Sequence, residues 1–432
     1  MTASGAASQG DHASPREASP AGHEPSTRAW IVVFFCGVVA AMHVWKFPGA
    51  MQFIRADLGM TLVEAGTLLG IVQVASMVLG LAVSIYSVRT GLRNTLTTGL
   101  ALLMVGSILG ALATQTWHLM ASRALEGIGF LFVTVVGPPL IRHWAPPHRT
   151  NTAMGWWSAF QGAAVFLAMI VSTLLLQYTG VITWHGWWLV MAAASLVVAV
   201  LALLYVPQDH TEPVNLAAAT RRITATISRL MPWIMAVLFA LYTLQWGAII
   251  GFLPDIAAAS GLGAIAAGLA TAIVGGLNGV GNIVAVAILQ RGVSPRGMVM
   301  FGMASMIVTT TLIFAPNWSA VPGGHWYQLA IAGIFSGAAA VIPSVINRIA
   351  VDVAPPEGAP SAVIGLMSQV YNGGNFIGPI VLTALATAAG GWHMSWLVTG
   401  SAALIGLVLA AIFLTPHRLA VSSRPGPAAK PA

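Results

Sequence analysis

"TWHGWWLV" at residues 183–190 and "GWHMSWLV" at 391–398 carry one Trp-His-x-x-Trp-Leu-Val pattern twice, 208 positions apart. Each copy opens a long apolar run, so the same element begins twice in one chain. Other stretches pair in the same order. Ala65-Gly66 faces Ala267-Gly268 and Arg89 faces Arg291, all at an offset of 202. Ala-Pro-Pro at 145–147 and 354–356 is followed each time by a Gly-x-x-Ser, at Gly155 and Gly365. Two halves with helices in the same order are parallel repeats related by an axis along the membrane normal, as in a carrier that rocks about a mid-membrane site.

The composition says what the repeated element is. Of 432 residues, 57% are hydrophobic and 7% charged, against about a quarter charged in soluble domains. Runs of about 20 apolar residues span a bilayer as helices, because lipid offers the backbone no hydrogen-bond partners. Twelve such runs are predicted: 29–53, 63–87, 95–114, 118–142, 152–177 and 186–206, then 231–254, 263–290, 296–315, 325–349, 360–387 and 393–415. The fold class is therefore all-α integral membrane, in two six-helix halves.

With both termini placed in the cytoplasm, the inner loops and tails hold fifteen Arg and Lys residues and the outer loops only Arg55; Lys46 and Arg123 complete the eighteen inside helices. That split is a strong positive-inside signal and accounts for most of the +7 net charge without nucleic acid. The expected organisation is a disordered cytoplasmic tail at 1–28, six-helix halves at 29–206 and 231–416, a cytoplasmic linker at 207–230 and a flexible tail at 417–432. The polar first segment lacks the apolar core of a signal peptide. Cys36, the one cysteine, has no partner for an intramolecular disulfide.

Local patterns carry a resemblance that spans residues 29–416. "SRALEGIGF" at 122–130 sets Arg123 before Gly127-x-Gly129, and "SVRTGLRN" at 87–94 supplies Arg89, Gly91 and Arg93 between helices 2 and 3. In these the chain resembles the major facilitator superfamily, with Ser84 and Val88 where the loop motif has Gly and Asp. The charge-locking role of that Asp does not carry over. Within the family the chain looks most like the cyanate and 2-nitroimidazole transporter branch, on "DLGMTLVEAGTLLG", "AILQRGVSPRG" and "QVYNGGNFIGP". Helix 5 lacks the Gly-Pro element of the antiporter branch, which favours uptake. The resemblance implies a fold whose helices 1, 4, 7 and 10 line a central cavity, and gating roles for Arg89, Gly91, Arg93 and Arg291.

An ionisable side chain at the bilayer centre costs at least about 2.5 kcal/mol and calls for a partner or a function. Lys46, Arg123 and Glu126 lie inside predicted helices, and Glu64 and Arg142 near helix ends. Lys46 and Arg123 fall at similar depth on helices 1 and 4, which suggests a pocket for a small anion. Arg123 would offer a planar fork and Lys46 a point charge. Alternatively Arg123 is neutralised by Glu126, three residues on and on the same face, while Lys46 snorkels to the outer interface.

Glu126, buried alone, would hold and carry a proton; paired with Arg123 it would stay charged, and substrate competing for Arg123 would switch it between the two. His43, one turn before Lys46, is a second proton-carrying candidate. Gln73, Gln161, Gln245, Asn278, Asn282, Gln369, Tyr371, Asn372 and Asn375 either line the cavity or bond neighbouring helices. Gln245 is the foremost of these because Trp246 follows it on helix 7. His185 and His393 with Trp184, Trp188, Trp392 and Trp396 read as interfacial anchors that the substrate does not touch.

No zinc-ligand cluster, Gly-x-Ser-x-Gly elbow or nucleotide-binding loop is present, so the chain is read as neither an enzyme nor ATP-driven, with no cofactor or metal. The expectation is a monomeric, proton-coupled importer of a small anion in the inner membrane of a bacterial cell. A proton-driven exporter of drugs or metabolites, sharing the architecture, is the alternative.

Overall fold

A computed structural model describes residues 26–208, 216–350, 353 and 360–415. The expected tails lie outside these residues except at 26–28, as do positions 209–215 of the linker. Twelve helices cross between two faces. They are α1 (Thr27–Leu58), α2 (Leu62–Gly70, continued through a 3-10 turn as Val74–Thr90), α3 (Leu92–Ala111), α4 (Thr116–Trp144), α5 (Thr150–Ser158, Phe160–Ser172 and a π-helical turn Thr173–Tyr178) and α6 (Trp184–Tyr205). The second half repeats the order with α7 (Leu230–Ala259), α8 (Ala264–Gln290), α9 (Pro295–Phe314), α10 (Gly324–Ala339 and Val341–Ala350), α11 (Pro360–Ala388) and α12 (Trp396–Phe413). Eleven of them are long and apolar enough to cross a membrane, and α11 has 29 residues. An even number of crossings puts residues 26 and 415 on one face, called inner below. The linker region contains a further helix, Leu216–Ile227, against α7 and α11.

Several helices outrun their predicted ends for identifiable reasons. Ser26 Oγ accepts from Ala29 N to start α1, and Gly59 at φ 62° stops it. In between, α1 continues through Pro48, which has no N–H for the carbonyl of Val44. Arg123 Nη2 of α4 supplies that donor at 3.1 Å. Glu64, flagged near a helix end, forms a capping box with Thr61: its Oε2 accepts from Thr61 N at 2.8 Å and Thr61 Oγ1 accepts from Glu64 N.

Within the first half, α1 packs on α4, α5 and α6, and α3 packs on α4 and α6. Trp157 of α5 is seated against Gly37 of α1 and Gly137 of α4, where only hydrogen side chains leave room for the indole. The halves meet along α2 with α11 and α5 with α8. On the second seam a Cβ at Gly162 would stand 2.8 Å from the backbone of Gly279, so the glycines there serve backbone approach.

Candidate functional site

Residues 43–46 of α1 and 123–126 of α4 meet in the interior of the first half. His43, Lys46, Arg123 and Glu126 are all fully buried. Glu126 is the hub: Oε1 accepts from Lys46 Nζ at 2.5 Å and Oε2 from Arg123 Nη1 at 2.8 Å. His43 Nδ1 lies 3.5 Å from Glu126 Oε1 and 3.4 Å from Lys46 Nζ, and His43 Nε2 is hydrogen-bonded to Ser195 Oγ of α6 at 2.7 Å. Lys46 Nζ also donates to Ser107 Oγ of α3 at 2.6 Å. Arg123 donates to the His43 and Val44 carbonyls as well as to Glu126. The cluster holds two cations around one carboxylate, with an imidazole in reach of both partners.

Arg123 and Lys46, the residues expected to offer an anion a fork and a point charge, lie here in a closed hydrogen-bonded cluster. The two residues do share a depth, and their donors turn onto Glu126, Ser107 and the carbonyls of His43 and Val44. The Arg123–Glu126 pairing on one helical face is present. Lys46 does not snorkel outward. Its ammonium sits 4.5 Å from the centroid of the Trp188 ring, a cation–π contact in a desolvated setting.

Sequence reasoning missed Ser107, Ser195, Trp187 and Trp188 as partners. The repeated Trp-His pattern was the available signal, read there as interfacial. Trp184, Trp187 and Trp188 are buried instead. Trp187 Nε1 donates to the Lys46 carbonyl at 3.1 Å and Trp184 Nε1 to Asp57 Oδ2 at 2.9 Å. In the second copy Trp392 and Trp396 are half-buried and His393 is exposed. In the first copy the indoles have partners on α1, Trp188 under the Lys46 ammonium, Trp187 on the Lys46 carbonyl and Trp184 on Asp57.

The second half has a neutral network in its interior. Asn278 Nδ2 donates to Tyr242 Oη at 3.0 Å and to the Ser336 carbonyl, Asn282 Nδ2 to Asn278, and Ser344 Oγ to Asn282 Oδ1 at 2.7 Å. These bonds tie α7, α8 and α10 together. Between the halves, Trp45 meets Trp246 edge-on with centroids 5.3 Å apart, Trp45 Nε1 donates to Gln161 Oε1 at 3.0 Å, and Trp246 Nε1 donates to Ser336 Oγ. Gln161 is thus brought to the seam.

Gln245 is not. It is fully buried and bonds only its own helix, at the Leu241 carbonyl, because successive residues of a helix point about 100° apart. Tyr371 packs on Phe239 of α7 at 4.6 Å, and Asn372 donates to the Ser368 carbonyl of its own helix. Gln73 is buried on α2, in a turn that packs on α4, and its Oε1 has no partner among the described residues.

Of the expected gating residues, Gly91 joins α2 to α3 at φ 88°, a conformation that favours glycine. Arg93 Nη2 donates to the Leu203 carbonyl at the end of α6 at 2.6 Å. Arg296, at the corresponding point of the second half, does the same for Ala411 at the end of α12 at 2.8 Å. Both cap a helix C-terminus. Arg89 and Arg291 are exposed at the inner face.

Two six-helix repeats enclosing a mid-membrane seam define a multi-pass membrane carrier. The chain belongs to the Major Facilitator Superfamily, whose model matches residues 33–244 and 235–431. It is 23% identical over 362 residues to the inner membrane transport protein YajR of Escherichia coli (strain K12), covering 81% of this chain and 73% of that one. A shorter match, 23% over 177 residues and 32% of the relative's length, is to polyol transporter 5 of Arabidopsis thaliana. Among solved structures the fold is similar to that of a D-xylose-proton symporter, with TM-score 0.70 and 16% identity over 89% of this chain and 96% of that one. It is also similar to a bacterial homolog of the human lysosomal transporter Spinster in an inward-facing, unoccupied conformation, with TM-score 0.68 and 14% identity over 91% and 96%. These transporters are not enzymes, and neither is this chain.

Proposed function

We propose that this protein is a proton-coupled carrier in which His43, Lys46, Arg123 and Glu126 form the coupling site. The observation that carries the reading is the sharing of one buried carboxylate between two cations. With Lys46 protonated the cluster bears one uncompensated positive charge in a desolvated core, and loss of one proton leaves it neutral. His43, within 3.5 Å of both Lys46 and Glu126, is placed to pass that proton on. Trp45 neighbours Lys46 in sequence and touches the opposite half, so a change of charge behind it reaches the seam through one helix.

An uncharged solute suits this seam better than the anion expected from the sequence. Trp45, Trp246 and Gln161 meet there, and Tyr242 stacks beside Trp246, while Arg123 and Lys46 are engaged elsewhere. Uptake across the inner membrane of a bacterial cell, with both termini cytoplasmic and the protein acting as a monomer, completes the proposal. The orientation is supported by the loop charges and the direction by the helix 5 pattern. Membership of the cyanate and 2-nitroimidazole branch rests on sequence patterns alone.

The test is proton flux in proteoliposomes on addition of uncharged polyols, monocarboxylates or lipophilic amines. Uptake driven by a proton gradient should be lost in Lys46→Met, which removes the titrating ammonium and keeps the Arg123–Glu126 pair, while solute counterflow persists. Gradient-driven uptake at the wild-type rate in that variant sinks the coupling site; flux with carboxylates only restores the anion reading.

A further inference from the structure

Helix α6 turns one face to α1, and three of its residues at helical spacing meet that helix. Trp188 lies under the Lys46 ammonium, the Ser195 hydroxyl is 2.7 Å from His43 Nε2, and the Val198 carbonyl accepts from Cys36 Sγ at 3.7 Å. Ser195 and His43 are both fully buried. A neutral imidazole carries one N–H, so one ring nitrogen donates and the other accepts. The surroundings of Nδ1 decide which. Lys46 has three ammonium hydrogens, and three acceptors stand around them: Glu126 Oε1 at 2.5 Å, Ser107 Oγ at 2.6 Å and His43 Nδ1 at 3.4 Å. A lone pair at Nδ1 uses all three. A proton there would set two donors against each other and leave a buried ammonium hydrogen without its acceptor. Glu126 Oε1, the other neighbour of Nδ1 at 3.5 Å, already holds Lys46.

We propose that Ser195 is a positioning residue: its Oγ accepts the Nε2 proton of His43, fixes the ring in that tautomer, and so keeps the Nδ1 lone pair on Lys46. The consequence for transport rests on the coupling reading given above. When Lys46 gives up its proton, one Nζ–H bond breaks and an Nδ1–H bond forms, while the Nε2–H stays on Ser195. The positive charge moves to the ring and remains 3.5 Å from Glu126 Oε1. His43 precedes Lys46 by three residues on a helix that starts at the inner face, so the step carries the proton inward by about 4.5 Å along the helix axis. In the other tautomer Nδ1 has no lone pair to receive it. Arg123, which donates to the His43 carbonyl, and Glu126 are the charged groups that α4 brings to this residue. The titratable side chains of α5 and α6 lie only near their ends, at Tyr178, His185 and Tyr205.

The experiment uses the full chain in lipid nanodiscs, with isotope-labelled histidine and nitrogen chemical shifts recorded where the ring is neutral. Comparison with His43→Gln picks out the His43 signals among those of the eleven histidines. The parent ring should be protonated at Nε2 and bare at Nδ1. Ser195→Ala should shift the tautomer ratio toward Nδ1–H by about fivefold, the factor carried by one neutral hydrogen bond. Ser195→Thr, which keeps the hydroxyl, should hold the parent ratio. In proteoliposomes, proton-driven uptake relative to solute counterflow should fall by a like factor in Ser195→Ala and recover in Ser195→Thr. Melting temperatures within a few degrees of the parent would show that the variants are folded. A parent ring protonated at Nδ1 overturns the assignment, and so does a tautomer ratio that Ser195→Ala leaves unchanged. A ratio lost equally in Ser195→Thr also counts against it, because packing and not the hydroxyl would then set the ring. The shifts are read without transport. If uptake proves independent of the proton gradient, the coupling reading falls and the shifts still decide the role of Ser195.

Discussion

Glu126 balances the buried cluster, so its partners differ in what their loss costs. Removing Glu126 leaves two buried cations without a counter-charge, a loss on the order of 3–5 kcal/mol. Lys46→Met leaves the Arg123–Glu126 pair neutral and intact, and should cost clearly less. Thermal unfolding in detergent checks the order; a Lys46→Met protein less stable than Glu126→Ala would refute the charge count. Arg123→Lys keeps a charge but loses the fork that reaches Glu126 and the carbonyls of His43 and Val44 at once. Because Pro48 cannot satisfy Val44, the orphaned carbonyl should cost about 1–3 kcal/mol, read in the same melts. The Arg123–Glu126 pair was legible from spacing, since residues three apart share a helical face. That Lys46 joins it was not, because the side-chain direction on α1 depends on which neighbours pack there.

Among elements, the first half depends on an indole in a glycine notch. Trp157→Ala removes the ring seated on Gly37 and Gly137 and should destabilise by about 3–5 kcal/mol, measured as a lower midpoint of unfolding. The paired arginines Arg93 and Arg296 predict a paired effect. Arg93→Ala should raise hydrogen exchange at the end of α6 near Leu203, and Arg296→Ala at the end of α12 near Ala411, each leaving the other site unchanged. Exchange unaltered in both would show that the bonds at 2.6 and 2.8 Å do not hold those helix ends. The sequence pairs Arg89 with Arg291 across the halves, yet the capping residues are the next basic ones along. Arg93 and Arg296 are 203 apart and not 202, so the fixed offset does not pair them.

At the scale of the whole molecule, charge and neutrality are divided between the halves. The charged cluster lies in the first, an amide and hydroxyl network in the second, and Trp45 with Trp246 at the boundary. The halves also meet along α5 and α8, where Gly162 and Gly279 let the backbones approach. Gly162→Leu should wedge that seam, at an overpacking cost of about 1–3 kcal/mol, and abolish transport while the protein still folds. Full transport in the variant would mean that this seam opens during the cycle. Twelve spans, two like halves and one basic face are written in the sequence alone, because partition of an apolar run into lipid depends on local composition and repetition is visible without coordinates. What Lys46 faces, why Gln245 turns away from Trp246, and why one Trp-His copy is buried were decided only by tertiary packing. A helix offers every face equally until its neighbours cover some and leave others open.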